Sequence, residues 1–352
     1  MKDERVMKCK TEIDFVIPWV DGHDPAWLRE KAVYSMQEKG VSTVDDRDVR
    51  YRDHGLLRYW FRGVDKFAPW VRKIHFVTWG HLPTWLNVEH PKLHIVRHED
   101  YIPSEFLPTF NCNTIEMNLH KIEGLSEHFV YFNDDMFLLS PVRETDFFQD
   151  GKPCDMLVLM PLAADPDIFI FSHLHLNNSL VLGRHFDKRK NVKKQPKAYF
   201  NLSYPLSYNL LNLLELPFPK YSGFYTVHGP TPFCKQTFKE IWELESEQLR
   251  ETLSHRFRCK DDVTQYLLRN WQKLSGNFHP QNLEKNFAYF ELHEDNTRLY
   301  RTIREQKKKF ICINDANERV DFDLIRDKLQ AAWDTILPER SPFEKAVLEV
   351  HQ

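Results

Sequence analysis

Short, unbroken apolar runs recur in the first part of the chain, each closed by polar or turn-forming residues. EIDFVIPWVDG holds the first, and KIHFVTWG, LHIVRHED and HFVYFNDD follow. Runs of this length without polar alternation predict strands covered on both faces. Between them, apolar positions fall at helical spacing. DPAWLREKAVYSMQEKG opens with Asp24 and Pro25, an N-cap followed by an N1 proline, and Gly40 supplies a stop. RDHGLLRYWFRGVDKFAPW sets Leu57, Phe61 and Val64 on one helical face, with Pro69 beyond its end. CNTIEMNLHKIEGL predicts a helix running to about Gly124. Residues 12 to 135 therefore alternate strand and helix, which predicts an open α/β sheet of largely parallel strands.

The second half is less regular. CDMLVLMPL predicts a strand, YPLSYNLLNLLEL a helix, FCKQTFKEIWELESEQLRETLSHRF one longer amphipathic helix, and DDVTQYLLRNWQKL another. KKKFICINDA repeats the opening pattern of apolar strand and then acid, DFDLIRDKLQAAWDTIL closes the fold as a helix, and ERSPFEKAVLEV reads as a tail. RHFDKRKNVKKQPKAYF gathers cations from Arg184 to Lys197; it predicts a solvated loop, with docking to an anionic acceptor or a membrane surface as the sharper alternative.

Composition narrows the classes. The 352 residues carry 42% apolar and 28% charged side chains and a formal charge of -3, so no global basic field points to nucleic acid. Six scattered cysteines form no C-x-x-C pair, which excludes a zinc ribbon and a dithiol redox motif; in FICIND the expectation is a buried, reduced thiol. MKDERVMKCKTEIDF lacks the apolar run of a secretory signal, and no apolar stretch has the length of a membrane span. These features predict a cytoplasmic protein.

Three apolar runs end in acid: Asp21, the pair Asp134–Asp135 after Asn133, and Asp315. Open α/β sheets bind ligands outside the carboxyl ends of their strands. Each acid alone is explained by capping the next turn. Three together, one of them doubled, predict a site for a hard divalent cation and a phosphate, since gathered carboxylates repel without a cation between them. Other nucleotide and hydrolase signatures are absent: there is no G-x-x-x-x-G-K-[ST], G-x-G-x-x-G, G-x-S-x-G or H-E-x-x-H. The histidines of SHLHL, and those at His90, His94 and His98, are assigned no metal role.

At this point the chain resembles the Stealth family, which includes bacterial capsular polysaccharide phosphotransferases and the catalytic subunit of N-acetylglucosamine-1-phosphotransferase. Four blocks carry the resemblance. They are IDFVIPWVDGHDPAW; the long stretch from GLLRYWFRGVDKFAPWVRKIHFVTWG through LPTFNCNTIEMNLHKIEGLSEHFVYFNDD; YTVHGPTPFCKQTFKEIW with FRCKDDVTQYLLRNW; and KFICINDAN. The resemblance implies one Rossmann-like catalytic domain over residues 1–352. It would have an α/β core at 12–160 and about 220–335 and a helical insertion at about 165–220. It implies transfer of a hexose or N-acetylhexosamine 1-phosphate from a UDP-sugar to a hydroxyl of a glycan acceptor, with UMP released and Mg2+ (or Mn2+) required. Capsular or cell-surface polysaccharide synthesis is the implied setting. The alternative is a metal-dependent glycosyltransferase that releases UDP; a non-catalytic glycan-binding scaffold is a third.

Attack on a donor phosphorus requires that charge on the non-bridging oxygens be neutralised, the leaving phosphate stabilised and the nucleophile aligned. A divalent ion on Asn133, Asp134 and Asp135 would serve the first two needs. His228 and Arg258 match basic positions of the third block. An imidazole at His228 suits a general base, or equally a phosphate contact. Arg58 and Arg62 are four apart and share a helix face, as are Glu116 and His120. These four, with Asn113, Asp21, Asn314 and Asp315, form the expected donor-binding set, with Asp135 shared between metal and catalysis. A lipid-linked acceptor would place the enzyme at the inner face of the plasma membrane without spanning it.

Overall fold

The computed structural model describes residues 12–37, 44–45, 51, 55–163, 169–315 and 322–346. Five strands form the central sheet, in the spatial order Thr231–Cys234, His128–Tyr131, Ile13–Trp19, Ile74–Thr78 and Leu93–Arg97. The last four run parallel; Thr231–Cys234, at the edge, runs antiparallel to His128–Tyr131. The α/β class expected from the alternating pattern is the one observed, with a mixed, mostly parallel sheet.

The unbroken apolar runs have a direct cause. Phe15 and Ile17 point into one layer with Ile74, Phe76, Val130 and Phe132, while Val16 points into the other with Val77, Val96, Phe129 and Tyr131. Successive strand residues face opposite sides. The first layer is covered by the helices Leu57–Phe67 and Phe322–Asp334, the second by Lys235–Leu244, Ser246–Ser254 and Gln265–Ser275. Both faces are dry, so both parities must be apolar. Pro18 is tolerated in the opening strand for a related reason. Val16 accepts from Phe132 N–H, so Pro18, two residues on, presents its backbone to the same side, where pairing with His128–Tyr131 has already ended at Val16.

Parallel strands end at one edge. Asp21 follows the first strand there, and Asn133–Asp135 follow His128–Tyr131. The antiparallel strand begins where they end, with Thr231 opposite Tyr131, so the segment just before it, carrying His228, enters at that edge. A smaller sheet stands beside it, in the order Phe287–Glu291, Phe310–Asn314, Met136–Leu138. Its last two strands are antiparallel, with Cys312 opposite Met136.

Four elements depart from expectation. The helix at Cys112 ends at Met117, because Asn118 folds its side-chain amide back onto the Thr114 carbonyl at 2.8 Å and a single tight turn, Leu119–Lys121, follows. The long amphipathic helix breaks at Glu245, whose buried carboxylate accepts from Arg184 at 2.6 Å and from His185 at 2.7 Å. CDMLVLMPL gives two short strands, Lys152–Asp155 and Val158–Leu159. The basic stretch is helical rather than a loop, at Phe169–His185, Lys188–Lys194 and Pro196–Tyr199. The stop assigned to Gly40 lies outside the described residues.

Candidate active site

Tyr131 ends its strand, and Asn133 to Met136 turn over the sheet edge, closed by a bond from Met136 N–H to the Asn133 carbonyl at 3.1 Å. The chain then enters the small sheet, where Ile313 N–H holds the Asp135 carbonyl at 2.9 Å. This double anchorage aims the Asp135 side chain. Its Oδ2 lies 3.2 Å from Cys312 Sγ and 3.5 Å from His228 Nε2. His228 Nδ1 in turn sits 2.7 Å from the Tyr266 hydroxyl. One donor atom each from Asp135, His228 and Cys312 fall within 4.8 Å of one another. Asp135 Oδ1 and Asn133 Oδ1 are buried and meet no hydrogen-bond donor. Asp134, by contrast, is exposed. The tandem acids thus separate: one is anchored in the constellation, the other stands at its lip.

A second group lies against the first. Tyr131 donates to Glu116 Oε1 at 2.8 Å, and Arg258 Nη2 lies 2.9 Å from Cys112 Sγ. Burial pushes the Glu116 carboxyl up to about 7, opposed by the Tyr131 hydroxyl and by the positive fields of Arg258 and His228. Burial also raises the Cys112 thiol, and at Cys312 burial and the Asp135 charge act together. Cys312 is therefore a neutral thiol that donates to the carboxylate. The His175 ring stacks on Tyr266 at 5.4 Å, and burial brings it down to about 4, so it stays neutral.

The flanks are fixed from behind. Arg269, on the same helix as Tyr266, is clamped to Asp155 by two bonds of 2.6 and 3.0 Å, and its Nη1 donates to the Val227 carbonyl at 2.6 Å. That bond sets the backbone immediately before His228. On the other side Asn314 donates to the Tyr289 hydroxyl at 3.0 Å, and the Tyr289 ring lies 6.3 Å from His228. Asn314 thus lies beside the crevice, and Asp315 follows it in the chain. Asp21 lies further along the edge, where its N–H donates to His81 Nε2 at 2.8 Å beside Trp19 and Trp79.

The remaining members of the expected set are engaged in other contacts. Arg62 is a closed strut: Nε and Nη2 donate to Glu344 at 2.7 and 2.9 Å, and Nη1 donates to the Leu337 carbonyl at 2.9 Å. Its helix face turns toward Leu337 and Glu344, so the described part of the expected tail is packed against the fold. Arg58 shares that face and lies over the Trp85 ring at 5.6 Å. Asn113 is spent on Asp262, to which it donates at 2.9 Å. His120 lies past the break at Met117, so it does not share a face with Glu116. It packs against Phe238 and Trp242, and burial, aided by Lys121, Lys235 and Lys239, brings it down to about 3.

Sequence reasoning missed Tyr266, Cys312, Tyr131, Cys112 and Arg269. The only signal for Cys312 was its place three residues before Asp315, the acid that ends an apolar run. The others become neighbours of the site only through packing.

The unpartnered oxygens of Asn133 and Asp135 form a hard donor pair, which fits Mg2+ or Mn2+. The protonated Cys312 thiol does not extend that set.

The architecture is that of a Rossmann-like α/β protein whose polar constellation lies beyond the carboxyl ends of its strands, where such folds take their ligands. Family models match as Stealth protein conserved region 1 over residues 11–39, region 2 over 50–155 and region 3 over 227–266. Asp21 falls in the first, Glu116 and Asn133–Asp135 in the second, and His228 and Arg258 in the third. The chain is 40% identical to the capsular polysaccharide phosphotransferase WcwK of Streptococcus pneumoniae over 96% of its own length and 100% of the relative's. It is 37% identical to the exopolysaccharide phosphotransferase cps2G of Lactiplantibacillus plantarum over 95% of the chain and 96% of the relative. It is 35% identical to the receptor polysaccharide phosphotransferase WefC of Streptococcus gordonii over 95% and 99%. The chain belongs to the Stealth family.

Proposed function

We propose that this enzyme of the polysaccharide phosphotransferase class transfers a hexose or N-acetylhexosamine 1-phosphate from a UDP-sugar to a glycan hydroxyl, releasing UMP. The relatives supply the reaction class, and one observation carries the placement: two buried oxygens, on Asn133 and Asp135, lack donors beside an imidazole at a sheet edge. Buried polar atoms without partners cost stability, so they persist where a ligand completes them. Asn133 and Asp135 would hold the divalent cation, with Asp134 at the exposed lip. A divalent cation held by these residues would supply neutralisation of the charge on the transferred phosphate.

The chain's own groups then divide the work. In the tautomer that donates Nδ1–H to Tyr266, His228 leaves Nε2 free to take the acceptor hydroxyl's proton. Tyr266, buried and held phenolic, fixes that ring. The Arg258 guanidinium offers planar donors to phosphate oxygens, and burial of Glu116 beside it, which raises its carboxyl to about 7, weakens the anion facing the phosphates. Asp21, Asn314 and Asp315 border the edge on which the rest of the donor would lie. Capsular or exopolysaccharide synthesis at the inner face of the plasma membrane is the setting this chemistry suits; among the described residues no helix is long and apolar enough to cross a membrane.

The test is to incubate the purified protein with a panel of UDP-sugars, Mg2+ and a glycan acceptor. The expected products are UMP and a phosphodiester, lost with chelation. Release of UDP with a glycosidic product would instead establish the glycosyltransferase alternative.

A further inference from the structure

The helix Leu206–Glu215 is mounted with polar groups inward. Asn212 is fully buried: it accepts from Leu159 N–H at 2.6 Å and donates to the Leu157 and Tyr199 carbonyls at 2.9 and 2.6 Å. Glu215, also buried, accepts from Lys188 and from Ser222. These bonds fix the rotation of the helix about its axis. Leu206, Leu210, Leu213 and Leu214 are then turned to solvent at the spacing of a single helix face, 84%, 52%, 54% and 62% exposed. Leu202 and Phe218, on the flanking turns, are exposed as well. Scattered exposed leucines are ordinary; six on and around one short helix form a contiguous apolar patch, which marks a contact surface.

The surroundings identify its partner. Lys188–Lys194 packs beside this helix through Lys188, which donates to the Glu215 carbonyl at 2.6 Å. With Lys188 and Asn191 turned inward, Arg189, Lys190, Lys193 and Lys194 face solvent, and Lys197 joins them. No acid occurs from Lys188 to Leu214, and Glu215 is spent on Lys188, so a local field of positive sign stands on a chain whose formal charge is -3. An apolar face rimmed by cations is the signature of an interfacial helix on an anionic bilayer. We propose that Leu202–Phe218 and the adjoining basic helix form a monotopic docking surface for an anionic phospholipid bilayer. The leucines enter the headgroup boundary and the cations meet lipid phosphates. Arg184, tied to Glu245, takes no part.

Sedimentation of the full chain with vesicles tests this, and it needs neither donor nor turnover, so the outcome is separate from that of the reaction proposed above. Phosphatidylcholine vesicles containing phosphatidylglycerol should pull the protein down, with binding weakened by salt. Pure phosphatidylcholine should bind it at least about tenfold less. The triple variant Leu206→Glu, Leu210→Glu, Leu214→Glu should lose binding about tenfold or more with an unchanged circular dichroism spectrum. The variant Lys193→Glu, Lys194→Glu, Lys197→Glu should lose the preference for anionic lipid. Absence of vesicle binding would overturn the proposal, as would binding that both variants retain. So would concentration-dependent self-association abolished by the leucine variant, since that would make a second copy the occupant.

Discussion

Two charged constellations, Arg62 with Glu344 and Asp135 with His228, differ in one physical respect. At Arg62 every strong group is answered: the guanidinium is forked onto both Glu344 oxygens, and its spare donor finds a carbonyl. At Asp135 one carboxylate oxygen and the neighbouring Asn133 oxygen are buried and unanswered. Closure marks a group that holds the fold together. Unanswered oxygens on two neighbouring residues, beside an imidazole at the sheet edge, are placed to take a ligand.

The sharpest way to break the comparison is to remove the open group. His228→Ala should lower kcat about 10²–10⁴-fold with little change in Tm, measured by UMP release and calorimetry. Asp135→Asn should abolish transfer while keeping or raising Tm, since it relieves a buried charge. A large fall in Tm in either would place them with the struts.

The closed pair should behave in the opposite sense. Arg62→Ala leaves the buried Glu344 carboxylate with only the Ser341 N–H and the more distant Arg340 to answer it, and should cost about 3 kcal/mol in denaturant unfolding, with turnover per folded molecule preserved. Replacing both partners, Arg62→Met with Glu344→Leu, should recover most of that loss. If the double variant folded well yet lost donor affinity, Arg62 would belong to the site after all.

A finer distinction comes from titration. The Glu116 carboxyl, held up to about 7 from its usual 4.5, keeps a proton in the folded state that the unfolded chain has released. Its contribution is fully present below that ordinary value and is lost as pH rises through the upper one. Glu116→Gln should remove this slope, so its Tm advantage over the wild type should grow as pH rises from about 4.5 to about 7 and then level off. His120, brought down to about 3 from 6.5, gives the opposite sign: stability is gained as pH rises across that interval. His120→Gln should flatten the acid side of the profile, a smaller effect because the ring is half-buried, and leave turnover unchanged.

What the sequence made legible follows from this contrast. Buried strands announce themselves by apolar runs, because both faces of this sheet are covered, and the acids ending those runs mark its carboxyl edge. Spacing places Arg58 and Arg62 on one helix face, but it does not say which way that face turns; the answer lies with Glu344, far away in sequence. Glu116 and His120 lose their shared face because Asn118 captures a backbone carbonyl. Tyr266 and Arg269 carry no local signal, since they matter through what they press against. The leucines of YPLSYNLLNLLEL suggest a helix, and only the inward bonds of Asn212 and Glu215 reveal that its apolar side looks out.

The antiparallel edge strand and the small sheet have one further consequence, for synthesis. Asp135 leaves the ribosome early, His228 much later, and the segment that grips the Asp135 backbone later still, with Ile313. A chain terminated before Phe310 contains the whole parallel sheet yet lacks the hand that orients its central acid. It would also lack Phe322–Asp334, which covers one layer of that sheet, so such a product loses a dry face together with its working centre.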